Sequence, residues 1–294
     1  MFKAVSQSES SAPRAPQDSG QPISHQHAED IALHSVLDGP ISPLGTFARS
    51  LLLAELSMVA YLKEDETRKA VAPLGFHTVH YYEEDGAQAY SFISDHDHVI
   101  ACRGTEPNEW NDIRADLDAS TALAETIGRV HRGFKKEVDD LWPVLEKALT
   151  SNTHTLWFTG HSLGGAMATI CAGRCLLSHI KSSPEQIITF GSPRVGDKRY
   201  INHARVNYLR WVNNNDIVTR VPPTWLGYRH SGTEMYLNAY GQLRKMDQVQ
   251  RSKDRWRGFV RGLKTGEFDH FSDHLIDRYV EYIYNEAKSR GEIG

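Results

Sequence analysis

Residues 156–165 read Leu-Trp-Phe-Thr-Gly-His-Ser-Leu-Gly-Gly and place the pattern Gly-x-Ser-x-Gly around Ser162. Such a pattern does chemistry in one setting. An apolar strand must lead in and a helix must lead out, so that the serine rides the tip of a sharp turn. Both flanks fit. Leu156, Trp157 and Phe158 suit a buried strand, and the small residues after Leu163 suit a closely packed helix. Gly160 and Gly164 remove side chains that would collide in the turn. A helix opening at Leu163 directs its first N–H groups at developing negative charge. The bland alternative is a glycine-rich turn with an incidental serine.

A serine hydroxyl is a weak nucleophile at neutral pH. It needs a base to take its proton and a third group to orient that base. With an elbow serine, the acid and then the histidine follow in chain order. Asp216 closes the run Asn213-Asn214-Asn215-Asp216, just after an expected strand at 208–212. Ligand sites of open α/β sheets gather at such C-terminal strand edges. Asp197 and Asp273 compete for the role, although Asp197 reads better as a helix cap. For the base, His274 sits at the mouth of the last expected helix, and His270 is the fallback.

Apolar spacing predicts the elements that must carry these residues. A largely buried helix is expected from Phe47 to Leu62, and β-type runs at 77–82, 89–93 and 98–102. A helix over 133–150, kinked or broken at Pro143, precedes a strand at 155–159 and a helix at 163–177. Strands at 186–190 and 208–212 follow, then a closing helix over 274–287 with Leu275, Ile276, Tyr279, Val280 and Ile283 at helical spacing. Strands alternating with helices imply a mainly parallel central sheet flanked by helices in one α/β domain. That domain is expected over 36–294, behind a polar, flexible leader at 1–35.

Composition narrows the function classes. The 294 residues are 40% hydrophobic and 24% charged, which fits a globular chain and excludes a fibrous or disordered one. A net charge of −4 supplies no global field for nucleic acid. Cys102, Cys171 and Cys175 are too few for a disulfide framework and read as small buried hydrophobes. The leader has no apolar core, so no secretory signal is expected. The most apolar stretch, 47–62, carries Arg49 and Glu55 and is too short to span a bilayer. The expectation is a soluble protein, cytoplasmic or exported by a non-standard route. No zinc spacing and no glycine-rich phosphate loop occur, so neither metal nor cofactor is expected. Asp95-His96-Asp97-His98 reads as alternation at a strand end, and His131 and His230 as structural.

Taken together, the motifs resemble the class 3 lipase family, the fungal-type triacylglycerol lipases of the α/β-hydrolase fold and their bacterial relatives. The likeness runs from about 45 to 285, in the family's order. It includes Leu53-Ala54-Glu55-Leu56-Ser57, Arg103-Gly104-Thr105, Val130-His131-Arg132-Gly133-Phe134 and the Ser162 segment. Phe190-Gly191-Ser192-Pro193-Arg194-Val195-Gly196, Asn213 to Val218 with Pro222, and Asp273-His274 ahead of Tyr279 complete it. The resemblance implies a triad of Ser162, Asp216 and His274. It also implies an oxyanion hole made by Thr105 and the backbone N–H of Leu163. The disulfides of the secreted fungal enzymes have no counterpart here.

The family places a lid after the oxyanion residue. Trp110 and Ile113 share one face of a short helix there, and either a mobile lid or a fixed surface helix fits. Residues 242–266 are strongly basic, with Trp256, Phe259, Val260 and Leu263 forming an apolar stripe. Trp256 and Phe259 with Arg251, Arg255 and Arg257 would suit transient contact with a lipid surface, or a stripe packed on the core. The activity implied is carboxylic-ester hydrolysis of acylglycerols through an acyl-enzyme. A phospholipase A1 or an aryl or feruloyl-type esterase would use the same triad, and a non-catalytic interaction protein would keep only the fold.

Overall fold

The computed structural model describes residues 31–104, 120–178, 180, 183–247, 250, 253–254 and 272–294. Helices α1 (Thr46–Val59) and α2 (Glu64–Val71) precede strands β1 (Thr78–Glu84), β2 (Ala87–Ile93) and β3 (Asp97–Cys102). Short strands β4 (Thr121–Leu123) and β5 (Arg129–His131) lead into α3 (Arg132–Leu149). Then come β6 (Thr155–His161), α4 (Leu163–Cys175), β7 (Pro184–Phe190), β8 (Gly196–Asp197), α5 (Lys198–His203) and β9 (Tyr208–Asn213). The chain closes with β10 (Tyr228–Arg229), β11 (Thr233–Leu237) and α6 (Ile276–Ser289).

Seven strands form the main sheet in the order β1-β2-β3-β6-β7-β9-β11. The first three are antiparallel meander strands, and β3, β6, β7, β9 and β11 run parallel. This is the mainly parallel, helix-flanked sheet of the α/β-hydrolase class. A second sheet, β10-β8-β5-β4, is too short-stranded for sequence periodicity to reveal. Pro143 lies inside α3, which continues through it as one helix rather than breaking.

Side chains alternate across each strand, so the main sheet feeds two cores. Val99, Ala101, Trp157, Ile188 and Trp211 face one core with α1 and α6. Ile100, Cys102, Leu156, Phe158 and Ile187 face the other with α3 and α4. Helix α1 is buried nearly all round, and α4 is packed so closely that only its first residue is less than fully buried. Helix α4 therefore carries glycine, alanine and cysteine where a surface helix would carry charge.

Long-range polar ties join α1 to segments far from it in sequence. Phe47 and Ala48, in the first turn of α1, donate backbone N–H groups to Glu292 Oε2 at 2.7 and 3.0 Å. That carboxylate serves free donors a helix cannot satisfy internally. Buried Glu55 accepts from the backbones of His34 and Ser35, and burial raises its pKa. Ile31 and Leu33 already pack on the first core. Residues 31–35 thus contact the body.

Candidate active site

The turn from β6 into α4 holds Ser162 at φ 57° and ψ −129°, a left-handed conformation unusual for a residue with a side chain. Close packing around the turn enforces it. A Cβ on Gly160 would strike the backbone of Gly164 and Gly165, and one on Gly164 would strike the carbonyl of Cys102 on β3. Helix α4 can approach β6 and β3 this nearly only because both positions are glycine. The Ser162 N–H donates to Phe190 O at 3.0 Å, which ties the turn to the end of β7. Leu163 is the first residue of α4, where backbone N–H groups have no partner within the helix.

Three side chains from distant parts of the sequence meet at this turn. His274 Nε2 lies 2.9 Å from Ser162 Oγ, and His274 Nδ1 lies 2.9 Å from Asp216 Oδ2. A carboxylate oxygen accepts hydrogen bonds and does not donate, so Nδ1 carries the proton and Nε2 is free to accept from the serine. All three are buried. Asp216 stands in the loop after β9, its other oxygen accepting from Val218 N at 2.9 Å. Asn214 takes a positive φ of 26° to start that loop. His274 ends a single 3-10 turn, Ser272–His274, just before α6.

Residues 99–225 match the lipase (class 3) family. Over that segment the chain is similar to the class 3 lipases. A lipase of Rhizopus niveus is 35% identical over 121 residues, 38% of this chain and 31% of that protein. A secreted mono- and diacylglycerol lipase of Malassezia restricta is 30% identical over 124 residues, 39% of each chain. This chain thus spans about a third of the length of the curated relatives it matches. Among solved structures, a lipase from Rhizopus microsporus var. chinensis superposes with a TM-score of 0.53. That likeness, at 22% identity over 71% of this chain and 84% of the other, is one of fold.

In this structure the rival acids have other employment. Asp197 caps α5, accepting from Tyr200 N at 2.8 Å. Asp273 accepts from Asn215 N at 3.2 Å and Asn214 Nδ2 at 3.4 Å, so it pins the loop that carries Asp216. Burial raises the Asp273 pKa. The fallback base His270 lies outside the described residues, as do Thr105, Trp110, Ile113, Arg251, Arg255, Trp256, Arg257 and Phe259.

Sequence reasoning gave no role to two residues that touch this cluster. Tyr279, on α6, donates its hydroxyl to Asp216 Oδ2 at 2.6 Å and accepts from Asn213 N at 3.0 Å. Burial, and then the Asp216 charge, hold its hydroxyl well above the ordinary tyrosine range. Its position among the core residues of a helix hid the polar tip. Gly191 is the other: its missing Cβ would lie 2.7 Å from Asp216 Oδ2. A glycine next to a strand end was visible, but nothing marked what it must clear.

Asp95-His96-Asp97-His98 holds structural polar bonds. Asp97 accepts from Trp157 Nε1 at 2.7 Å and Ile41 N at 2.8 Å. Among the described residues no three His, Cys, Asp or Glu side chains are grouped to hold a metal ion. No helix among them is long and apolar enough to cross a membrane.

Proposed function

We propose that the chain is a serine carboxylic-ester hydrolase acting on acylglycerols through an acyl-enzyme. The unbroken hydrogen-bonded series Ser162–His274–Asp216, at a strained strand-to-helix turn, carries this reading. Ser162 Oγ attacks the ester carbonyl while His274 Nε2 takes its proton. Asp216 holds the imidazole in the Nδ1–H form and stabilises the imidazolium. His274 then protonates the departing alcohol, and in the second half-reaction activates water against the acyl-serine. The N–H of Leu163 at the start of α4, with Thr105, receives the oxyanion, and two such donors are each worth about 2.7–4 kcal/mol. Acylglycerols are favoured as substrates by the family and by a relative named as a mono- and diacylglycerol lipase.

The test is hydrolysis of p-nitrophenyl butyrate by the wild type and by Ser162→Ala. The reading expects kcat to fall by about 10⁴–10⁶ in the variant. Equal rates would remove it. A product assay across triolein, monoolein, phosphatidylcholine and short aryl esters then assigns the substrate class, and cleavage confined to phosphatidylcholine would make it a phospholipase instead.

A further inference from the structure

Hydrolysis uses the ring of His274, yet the backbone of His274 is also held, and by a residue with no part in the steps above. His161, the last residue of β6, places Nε2 2.6 Å from the His274 carbonyl oxygen. A carbonyl has no proton to give, so Nε2 carries the hydrogen and donates. Nδ1 is then an acceptor, and the Tyr61 hydroxyl donates to it at 2.9 Å. One acceptor and one donor, on opposite sides of the ring, select a single tautomer. Gly104 leaves the room for this, because a Cβ there would lie 2.6 Å from both the Tyr61 hydroxyl oxygen and the His161 carbonyl oxygen. The His161 ring also faces that of His274, with centroids 4.5 Å apart and planes tilted by 34°. Burial, and then the neighbouring His274, hold its pKa well below the usual histidine range. His161 thus stays a neutral donor and does not compete for the proton.

The need for such a tie follows from the chain. Ser162 and His274 are 112 residues apart, and His274 sits in a one-turn 3-10 helix with little stiffness of its own. A reacting base must be held to about 0.5 Å. The two consecutive carbonyls of that turn are gripped from two parallel strand ends. Asn213, the last residue of β9, donates Nδ2 to Asp273 O at 3.0 Å, and His161, the last residue of β6, donates to His274 O. We propose that His161 is a positioning residue, fixed in its Nε2–H form by Tyr61, that ties the base to the nucleophile's own strand and sets the approach of His274 Nε2 to Ser162 Oγ. This inference rests on the ester-hydrolase reading.

The experiment compares wild type, Ser162→Ala, His161→Phe and His161→Gln on p-nitrophenyl butyrate, with folding checked by circular dichroism. Phenylalanine keeps a ring in the core but cannot donate, whereas glutamine presents an N–H at a similar reach. A residue that only filled space would tolerate phenylalanine. The expected result is a fall of about 10²-fold in kcat with KM little changed for His161→Phe, and recovery to within about tenfold of wild type for His161→Gln. Nitrogen-15 NMR of the wild type is expected to show neutral His161 protonated on Nε2. A folded His161→Phe enzyme with full kcat, or a proton on Nδ1, overturns the inference. If His161→Phe does not fold, the NMR tautomer and His161→Gln decide, and a glutamine variant more than about 10²-fold slower overturns it. Failure of the hydrolase reading itself looks different, because Ser162→Ala would then match wild type.

Discussion

Gly191→Ala should disable the site without unfolding the protein. Gly191 follows β7 with a φ of +63°. An added Cβ would lie 2.7 Å from Asp216 Oδ2 and 2.9 Å from both Nδ1 and Cε1 of His274. Ordinary contact starts near 3.4 Å, so the carboxylate and the imidazole must each retreat by about half an ångström or more. Their own bond is 2.9 Å, and the methyl group wedges against both partners. Displacements approaching 1 Å cost about 10² in rate, and loss of the correct imidazole tautomer about 10⁴. We expect kcat on p-nitrophenyl butyrate to fall within that range. Stability should drop by about 1–2 kcal/mol from the left-handed backbone and about 1–3 kcal/mol from overpacking. Gly86→Ala separates the two effects. Gly86 has φ +89° with nothing within 4 Å of its Cβ position, so that variant bears backbone strain alone and should keep wild-type activity. A folded Gly191→Ala enzyme retaining more than about a tenth of wild-type kcat would refute the packing argument.

Two further outcomes follow from buried polar groups. Tyr279→Phe removes the 2.6 Å bond to Asp216 and strands the Asn213 N–H, so urea denaturation should show a loss of about 1.5–3 kcal/mol, with a lower kcat. A change under about 0.5 kcal/mol would count against any support of Asp216 by Tyr279. Acid should also destabilise the fold: burial lowers His98 to about 4, and likewise depresses His161 and His230. Between about pH 6.5 and 4 the unfolded chain takes up protons that the native His98 refuses, so stability is intact above that window and lost on descending through it. For His98 the loss amounts to about 3 kcal/mol. Glu55 and Asp273, raised by burial, oppose part of it. His98→Gln should flatten the dependence of the urea midpoint on pH over this window, and an unaltered slope would assign the loss elsewhere.

What the sequence made legible follows from how local each signal is. The strands at β1 to β3, β6, β7 and β9 and the helices α1, α3, α4 and α6 are long and strongly patterned, and they lie close to where periodicity puts them. Ser162 was visible because its constraints are adjacent in sequence. The glycines, the strand and the helix all fall within a few residues. Asp216 and His274 were narrowed by chain order, by their places after a strand and at the mouth of the last helix, and by resemblance, since no local motif like that around Ser162 surrounds either. The β10-β8-β5-β4 sheet escaped because two- and three-residue strands have no period to read. Tyr279 and Gly191 escaped for another reason. Their roles lie in one hydroxyl and one absent methyl group, and each depends on a partner brought near only by folding.

Hydrogen-bond geometry by itself does not single out the Ser162 cluster either. Ser91 Oγ lies 2.5 Å from His98 Nε2, and His98 Nδ1 lies 3.0 Å from Asn152 Oδ1. Asn152 Nδ2 donates to His154 O, so its oxygen is the atom facing the imidazole, and His98 carries its proton on Nδ1. The order of donors and acceptors is that of Ser162–His274–Asp216. The chemistry differs at every other step. Asn152 is neutral and cannot stabilise an imidazolium, and burial leaves His98 too weak a base near neutral pH. Ser91 lies in the middle of β2, paired in register with Ile100 of β3, and no helix begins beyond it to receive an oxyanion. At Ser162 a carboxylate stands where the amide is, the backbone is turned out of the extended form, and α4 starts at the next residue. The same pair of hydrogen bonds therefore stands at two places along the sheet. What separates them is the charge of the third residue and the turn beneath the first.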